Sequence, residues 1–315
     1  MSFRFALALR YQQWQSRRPV TFNEKVRYKM ARDGSALATL LNDKARVKEY
    51  VRERVGSDAL PACYGIYEHA AQIDWDALPR EFALKVNHGS GGVIVVADVA
   101  NAGALPVLSQ KKSLQWRRYV VHPDRFERAH AGKLLDGWLC RRYAQNPRRP
   151  IELAYRHIPP RIVAEEFLPH VTNEQRTLPA QIMVHCIHGE PAEYVLTHRA
   201  GDFGETGQRR YLVDEWNNGS REWNIAVDSA QQITQQCRLL SRGTDMVRVD
   251  WHLTTRGIVF NEMTNYPAAG TIPFTGHAFL APHELDRRLG AQWQVPASYA
   301  GNKDTGLIQP SRHLK

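Results

Sequence analysis

Residues 247–270 read VRVDWHLTTRGIVFNEMTNYPAAG. Two apolar-rich runs flank Thr254-Thr255-Arg256-Gly257, the pattern of a β-hairpin. With a Thr255-Arg256-Gly257 loop and Gly257 left-handed, Asp250 falls opposite Glu262 and Arg248 opposite Thr264. Strict alternation puts Arg248, Asp250 and His252 on one face. Like charges directly opposite each other destabilise a sheet. Something must compensate the acidic pair. Two carboxylates together with phosphate oxygens and waters suit Mg2+; the alternative is a structural ion pair with Arg248. Thr264 and Asn265 add oxygens just past Glu262, which favours the metal.

The remaining pattern is mixed. Residues 22–55 read as two helices, with Asp43 as an N-cap and Gly56 as a stop. Residues 59–70 read as a strand with a turn, and 81–98 as strand, Gly-rich loop, strand. Residues 107–146 read as helical. PPRIVAEEFLP (159–169) is a short buried strand, and 181–199 a hairpin turning at Gly189-Glu190. Residues 200–222 read as a polar loop, 228–243 as a helix, and NKDTGLIQPSRHLK as a frayed tail. This is an α+β chain, not a βαβα series. The expected organisation is an N-terminal helical region (1–58), two α+β subdomains (59–164 and 165–293) and a polar tail (294–315).

Two further stretches carry chemistry. In Asn87-His88-Gly89-Ser90-Gly91-Gly92, glycines would let backbone N–H groups approach a phosphate. No GK[ST] follows, so this is not a P-loop. Lys85, two residues ahead in the apolar strand FALKV, is placed to reach phosphates; the alternative is a flexible hairpin tip beside a snorkelling lysine. Glu165-Glu166 closes an apolar strand. Either the strand end reaches solvent, or its backbone meets an adenine and its carboxylate the ribose hydroxyls.

The net charge of +10 and pI of about 9.6 favour anionic partners without choosing among them. Four scattered cysteines without a CxxC argue against a zinc site and for free thiols in a reducing cytoplasm. The apolar patch FALAL near the N-terminus is too short for a signal sequence, and no run of 18 apolar residues predicts a membrane span. With its arginines the patch suits an amphipathic helix resting on the protein's own core or, alternatively, peripherally on a membrane or partner. His185 and His188 point to opposite sides of a strand and read as ordinary. There is no HExxH and no GxSxG. A basic chain rich in Trp and Tyr also suits single-stranded nucleic acid, but no RNP or OB-type pattern supports that, and no nucleic-acid partner is expected.

The order of these pieces resembles the ATP-grasp superfamily, and more closely the TupA-like ATP-grasp family of polysaccharide and teichuronopeptide biosynthesis. The resemblance rests on TFNEKVRYKM, NDKARVKEYV, FALKVNHGSGG, ELAYRHIPPRIVAEEFL, the hairpin and PHELDRRLG, and covers roughly residues 20–293. It implies two α+β subdomains gripping ATP. Lys44, Lys85 and the loop residues His88, Gly89, Ser90, Gly91 and Gly92 would meet phosphates. Glu165, Glu166 and Leu168 would line the adenine and ribose pocket, and Asp250 and Glu262, with Thr264 or Asn265, would hold Mg2+. Lys85 and Arg248 would be catalytic, in a ligase joining a carboxylate to an amine through an acyl phosphate. An ATP-grasp kinase is the alternative. Two departures stand out: Thr264 occupies the place of the Asn of Glu-x-Asn, and Met183 falls where relatives tend to carry a lysine, with Arg199, Arg209 and Arg210 among the candidate replacements and the replacement itself open. The oligomeric state is open.

Overall fold

The computed structural model describes residues 3–99, 102–106, 116–141, 150–172, 175–200 and 204–301. It opens with helices α1 (Phe3–Gln15), α2 (Phe22–Met30), α3 (Ala36–Asn42) and α4 (Val47–Val55). Residues 22–55 therefore hold three helices, not two. The additional break follows Ala31, and Ser35 restarts the chain by accepting the Ala38 N–H. Asp43 takes the Ala45 and Arg46 N–H groups ahead of α4, and Gly56 ends α4 at φ 90°.

The first sheet contains β1 (Cys63–Tyr67), β2 (Phe82–Val86), β3 (Val93–Val96), β4 (Arg118–Val121) and, beyond α5 (Arg128–Leu139), β5 (Ile162–Glu166). Its order is β1-β5-β2-β3-β4, antiparallel except for β3 with β4. Sequence predicts helix throughout 107–146, yet Arg118–Val121 is a strand: its Tyr-Val-Val run suits a half-buried sheet position. The expected helix at 107–115 and 142–146 lies outside the described residues. Phe82, Leu84 and Val86 pack with Leu134, Leu135 and Trp138 of α5. Ala83, Val93 and Val95 form a separate apolar cluster on the opposite face, and Lys85 shares that side by alternation.

A short ribbon, β6 (His170–Thr172) and β7 (Gln175–Thr177), leads to β8 (Ala180–Ile187), β9 (Glu190–Ala200) and β10 (Gly204–Leu212). Helices α6 (Trp216–Glu222) and α7 (Val227–Ser241) precede β11 (Met246–Thr254) and β12 (Gly257–Thr264). The second sheet is ordered β10-β9-β8-β11-β12 and is antiparallel throughout. The polar stretch 200–222, read as a loop, contains β10 and α6. β10 is an edge strand, where charged residues are tolerated, so its composition hid it. The β8–β9 turn is His188-Gly189, one residue earlier than expected, with both residues at positive φ (52° and 83°).

Val247, Val249 and Trp251 of β11 pack on Ile233, Cys237 and Leu240 of α7 and on Tyr50 and Val51 of α4. Arg248, Asp250 and His252 take the other face by alternation. The chain closes with α8 (Pro282–Gln292) and α9 (Ser298–Gly301). Phe22, Val26 and Met30 of α2 share a core with Leu285 and Leu289 of α8. Trp293 is fully buried, and the predicted frayed tail NKDTGLIQPSRHLK lies outside the described residues.

Candidate active site

Asp250 pairs with Glu262 and Arg248 with Thr264. The route to this register differs from the expected one. Thr254 pairs with Gly257, so the loop is Thr255-Arg256, and the extra residue is Asn261, bulged beside the Asp250/Trp251 step. Without the bulge Asn261 would oppose Asp250, and Glu262 would turn towards α7. With it, the consecutive residues Asn261 and Glu262 each meet a lysine, Asn261 meeting Lys85 on β2 and Glu262 meeting Lys44 in the turn between α3 and α4.

Four cations and three carboxylates gather there. Arg248 forks onto Asp250, with Nε 2.7 Å from Oδ1 and Nη2 2.5 Å from Oδ2. The same Nη2 lies 3.6 Å from Glu262. Lys44 Nζ is 3.2 Å from Glu262 and donates to the Gly89 carbonyl at 2.7 Å. Lys85 pairs with one oxygen of Glu165 and donates to Asn261 Oδ1 at 3.1 Å, and Lys48 pairs with the other Glu165 oxygen. Burial alone would push the Glu165 carboxyl up, but Lys85 and Lys48 outweigh it and hold it at about 2. Burial likewise opposes the charge on Glu262, and Lys44 and Arg248 bring it to about 2. The ion pair with Arg248, the sequence-level alternative to a metal, is thus formed.

The Gly-rich loop joins this cluster through its backbone. Gly91 and Gly92 sit at φ 85° and 65°, and a Cβ on Gly92 would lie 2.3 Å from Val86 Cγ2. Both conformation and packing therefore require glycine there. His88 is buried against the Trp116 ring, and its Nε2 is 2.9 Å from the Arg141 carbonyl oxygen. Burial lowers its pKa to about 4, so it is neutral at pH 7. Ser90 is exposed. Asn87 anchors the loop, donating to Asp43 and Pro159 and accepting from the Arg161 N–H.

A cleft runs between the sheets from this cluster, lined by Lys85, Glu165, Glu166 and Leu168 on one side and His252, Thr254, Phe260 and Asn261 on the other. Ala83, Val93, Val95 and Leu178 make its wall apolar. Glu166 accepts from the Ala62 N–H and pairs with Arg256 of the hairpin turn at 2.9 Å. The Thr255 N–H donates to the Pro169 carbonyl. These contacts tie the strand exit to the hairpin.

The structure brings together Lys44, Lys85, Glu165, Arg248, Asp250 and Glu262. Thr264 is half-buried beside Arg248. Asn265 is buried and ties β12 to α3, its N–H donating to Asn42 Oδ1 and its amide to the Ala38 carbonyl. Among the described residues no group of three or more His, Cys, Asp or Glu side chains gathers as a metal site. Met183 opposes Asp250 on β8. Arg210, one candidate replacement for the missing lysine, is buried in an ion pair with Glu193 at 2.8 Å, and Glu193 also meets His185 at 2.7 Å. The side chain of Arg199 lies outside the described residues.

Sequence reasoning missed Lys48 and Asn261. Lys48 had a readable signal: it borders the apolar Val47, Tyr50 and Val51 of α4, where a buried charge needs a partner. Asn261 had none, because a bulge leaves no mark in composition.

The family model for TupA-like ATP-grasp proteins matches residues 24–294. Among solved structures, D-alanine–D-alanine ligase from Bacillus anthracis is 12% identical over 82% of this chain and 66% of its own, with a TM-score of 0.44. The ADP complex of purK, N5-carboxyaminoimidazole ribonucleotide synthetase, is 11% identical over 79% of this chain and 51% of its own, with a TM-score of 0.42. D-alanine–D-alanine ligase from Helicobacter pylori is 13% identical over 82% and 60%, with a TM-score of 0.39. The chain spans between about half and two thirds of the length of these enzymes. No curated protein matches it. With the family model covering nearly the whole described body, the chain belongs to the TupA-like ATP-grasp family and has its α+β ATP-grasp fold.

Proposed function

We propose that the cleft binds MgATP and that the protein is an ATP-dependent ligase joining a carboxylate to an amine. The observation that carries this reading is the gathering of Lys44, Lys48, Lys85 and Arg248 around Glu165, Asp250 and Glu262 at one end of an apolar cleft. An adenine suits the apolar wall, with Glu165, Glu166 and Leu168 beside its ribose. Phosphates suit the lysines and the backbone of Gly89–Gly92.

Asp250 and Glu262 fit Mg2+: both are hard oxygen donors, they face each other across the ladder, and Glu262 is held ionised. Thr264 or Asn265 would complete the protein's share of the shell. When held by these residues, the ion would supply charge neutralisation for the phosphates. Arg248 and Lys44 neutralise the same carboxylates in this structure. Released from them, each can take an anionic oxygen: Lys44 a phosphate, and Arg248 the substrate carboxylate, which its planar fork matches. Lys85 and the loop amides would stabilise the transferring phosphoryl group.

In this scheme a carboxylate oxygen attacks the γ-phosphorus and ADP leaves. The amine then attacks the acyl carbon, phosphate leaves, and the amine proton passes to substrate or water. The carboxylate is assigned to a uronic acid or similar group of a surface polysaccharide, following the family resemblance. The test is product analysis with MgATP, uronic acids and a panel of amines. Amine-dependent release of ADP and inorganic phosphate is expected. Phosphate retained on an acceptor would instead mark a kinase. ATP turnover unchanged in Asp250→Asn/Glu262→Gln would remove the metal assignment.

A further inference from the structure

Helix α1 is apolar on two opposite sides. At 100° per residue, Phe5, Leu9, Gln12 and Ser16 share one side, and Leu7, Tyr11 and Trp14 lie diametrically across from it. The first side is docked. Phe5 and Leu9 pack with Ala31, Ile151 and Leu153. Gln12 exchanges two hydrogen bonds with the Ile151 backbone at 3.0 and 2.7 Å, and Arg32 donates to Ser16 at 2.9 Å. The expectation that FALAL rests on the protein's own core therefore holds for this side only. On the other, Leu7, Tyr11 and Trp14 are 61%, 59% and 58% exposed.

The charge around the outward stripe is of one sign. Residues 1–23 contain four arginines and no acidic residue. Arg10, Arg17 and Arg18 are exposed, and the Arg17 guanidinium sits 5.0 Å over the Trp14 ring. Tyr11 and Trp14 stack at 6.3 Å, with polar tips that suit the headgroup level of a bilayer.

We propose that α1 lays the protein on an anionic lipid surface, with Leu7, Tyr11 and Trp14 entering the headgroup–acyl boundary and Arg10, Arg17 and Arg18 meeting lipid phosphates. At 13 residues the helix is too short to span a bilayer, which takes about 20. Three side chains on one short helix fall well below the roughly 800 Å2 per partner of a stable protein interface, whereas a bilayer demands no matching shape. The docking of the opposite side fixes the stripe outward before any membrane is met, so little ordering remains for binding to cost.

Flotation of the full chain with vesicles tests this. The probes are phosphatidylcholine alone and phosphatidylcholine with about one third phosphatidylglycerol. Binding is expected to the anionic vesicles, weaker by roughly tenfold or more on neutral ones, and falling as salt rises. Leu7→Ser/Tyr11→Ser/Trp14→Ser should lose roughly tenfold or more in binding with unchanged thermal unfolding, because all three side chains face solvent. Arg10→Gln/Arg17→Gln/Arg18→Gln should erase the preference for anionic lipid. No binding, equal binding to both vesicles, or parent-like binding by the first variant overturns the proposal. So does a dimer in size-exclusion chromatography that this variant abolishes, since the stripe would then belong to a second copy of the chain.

Discussion

Asp250 and Glu262 face each other across a β-ladder and share Arg248, which forks onto Asp250 and reaches Glu262 at 3.6 Å, while Lys44 holds Glu262 at 3.2 Å. The repulsion is resolved by one cation between the two carboxylates and a second on Glu262 alone. Lys44 is buried, so Glu262→Gln strands its charge and should destabilise the protein by about 1–3 kcal/mol. Lys44→Met in the same chain should recover part of that loss. Urea unfolding of the two single variants and the double should give a coupling of about 1 kcal/mol or more. Additive effects would mean that the contact contributes nothing.

The bulge makes a second, sharper prediction. Deleting Asn261 restores the regular ladder, pairs Asp250 with the preceding residue, and turns the Glu262 carboxylate towards the apolar face under α7. MgATP binding should be lost, with a stability cost well beyond that of Asn261→Ala, which removes only the 3.1 Å contact to Lys85 and should cost about 0.5–1.5 kcal/mol. Calorimetric titration with MgATP and urea unfolding measure both. Equal behaviour of the deletion and the alanine variant would show that the bulge does not set the site.

These two residues also mark how far the sequence could be read. The opposition of Asp250 and Glu262 was legible because a three-residue loop and a two-residue loop with one bulged residue give the same pairing at that point. The position of the extra residue was not, because nothing local distinguishes Asn261 from its neighbours. Lys85 and Glu165 were legible as charges in apolar strands, which demand partners. The second cation on Glu165, Lys48, comes from a helix 117 residues earlier, a separation that no periodicity reports. β10 was missed because an edge strand keeps the composition of a loop.

Acid should unfold the protein in two windows. Glu165 and Glu262 titrate near 2 against an ordinary 4.5. Their folded pKa values are depressed, so their contribution is full above pH 4.5 and is lost as pH falls towards 2. His88 is depressed from 6.5 to about 4. The unfolded chain takes up that proton first, so stability falls from pH 6.5 to about 4 and then levels for this group. His88→Gln should make the upper window shallower, with buried His185 and with His157, both also lowered by desolvation, still contributing to it, and leave the lower one. Glu165→Gln should be less stable at pH 7, with Lys48 and Lys85 deprived of their anion, and less sensitive in the lower window. Urea midpoints at a series of pH values check both slopes.

The last prediction concerns the C-terminal end of the described chain. The Tyr299 hydroxyl lies 3.0 Å from both Asp33 Oδ2 and Asp245 Oδ1. Lys29 Nζ meets Asp245 at 2.5 Å, and Trp293 Nε1 donates to its other oxygen at 2.9 Å. Burial, followed by the charges of Asp245 and Asp33, pushes the phenol well above its usual range, so it remains a donor. The hydroxyl has one proton for two carboxylates, and the buried ammonium of Lys29 supplies the rest. Tyr299→Phe should therefore cost only about 1–2 kcal/mol, the loss of one hydrogen bond to charged acceptors. Asp245→Asn should cost about 3–5 kcal/mol, because it removes the carboxylate closest to a buried lysine. Guanidinium unfolding of both variants reads the difference, and a larger loss from Tyr299→Phe than from Asp245→Asn would show that the tyrosine, not the Lys29 ion pair, holds this end of the fold.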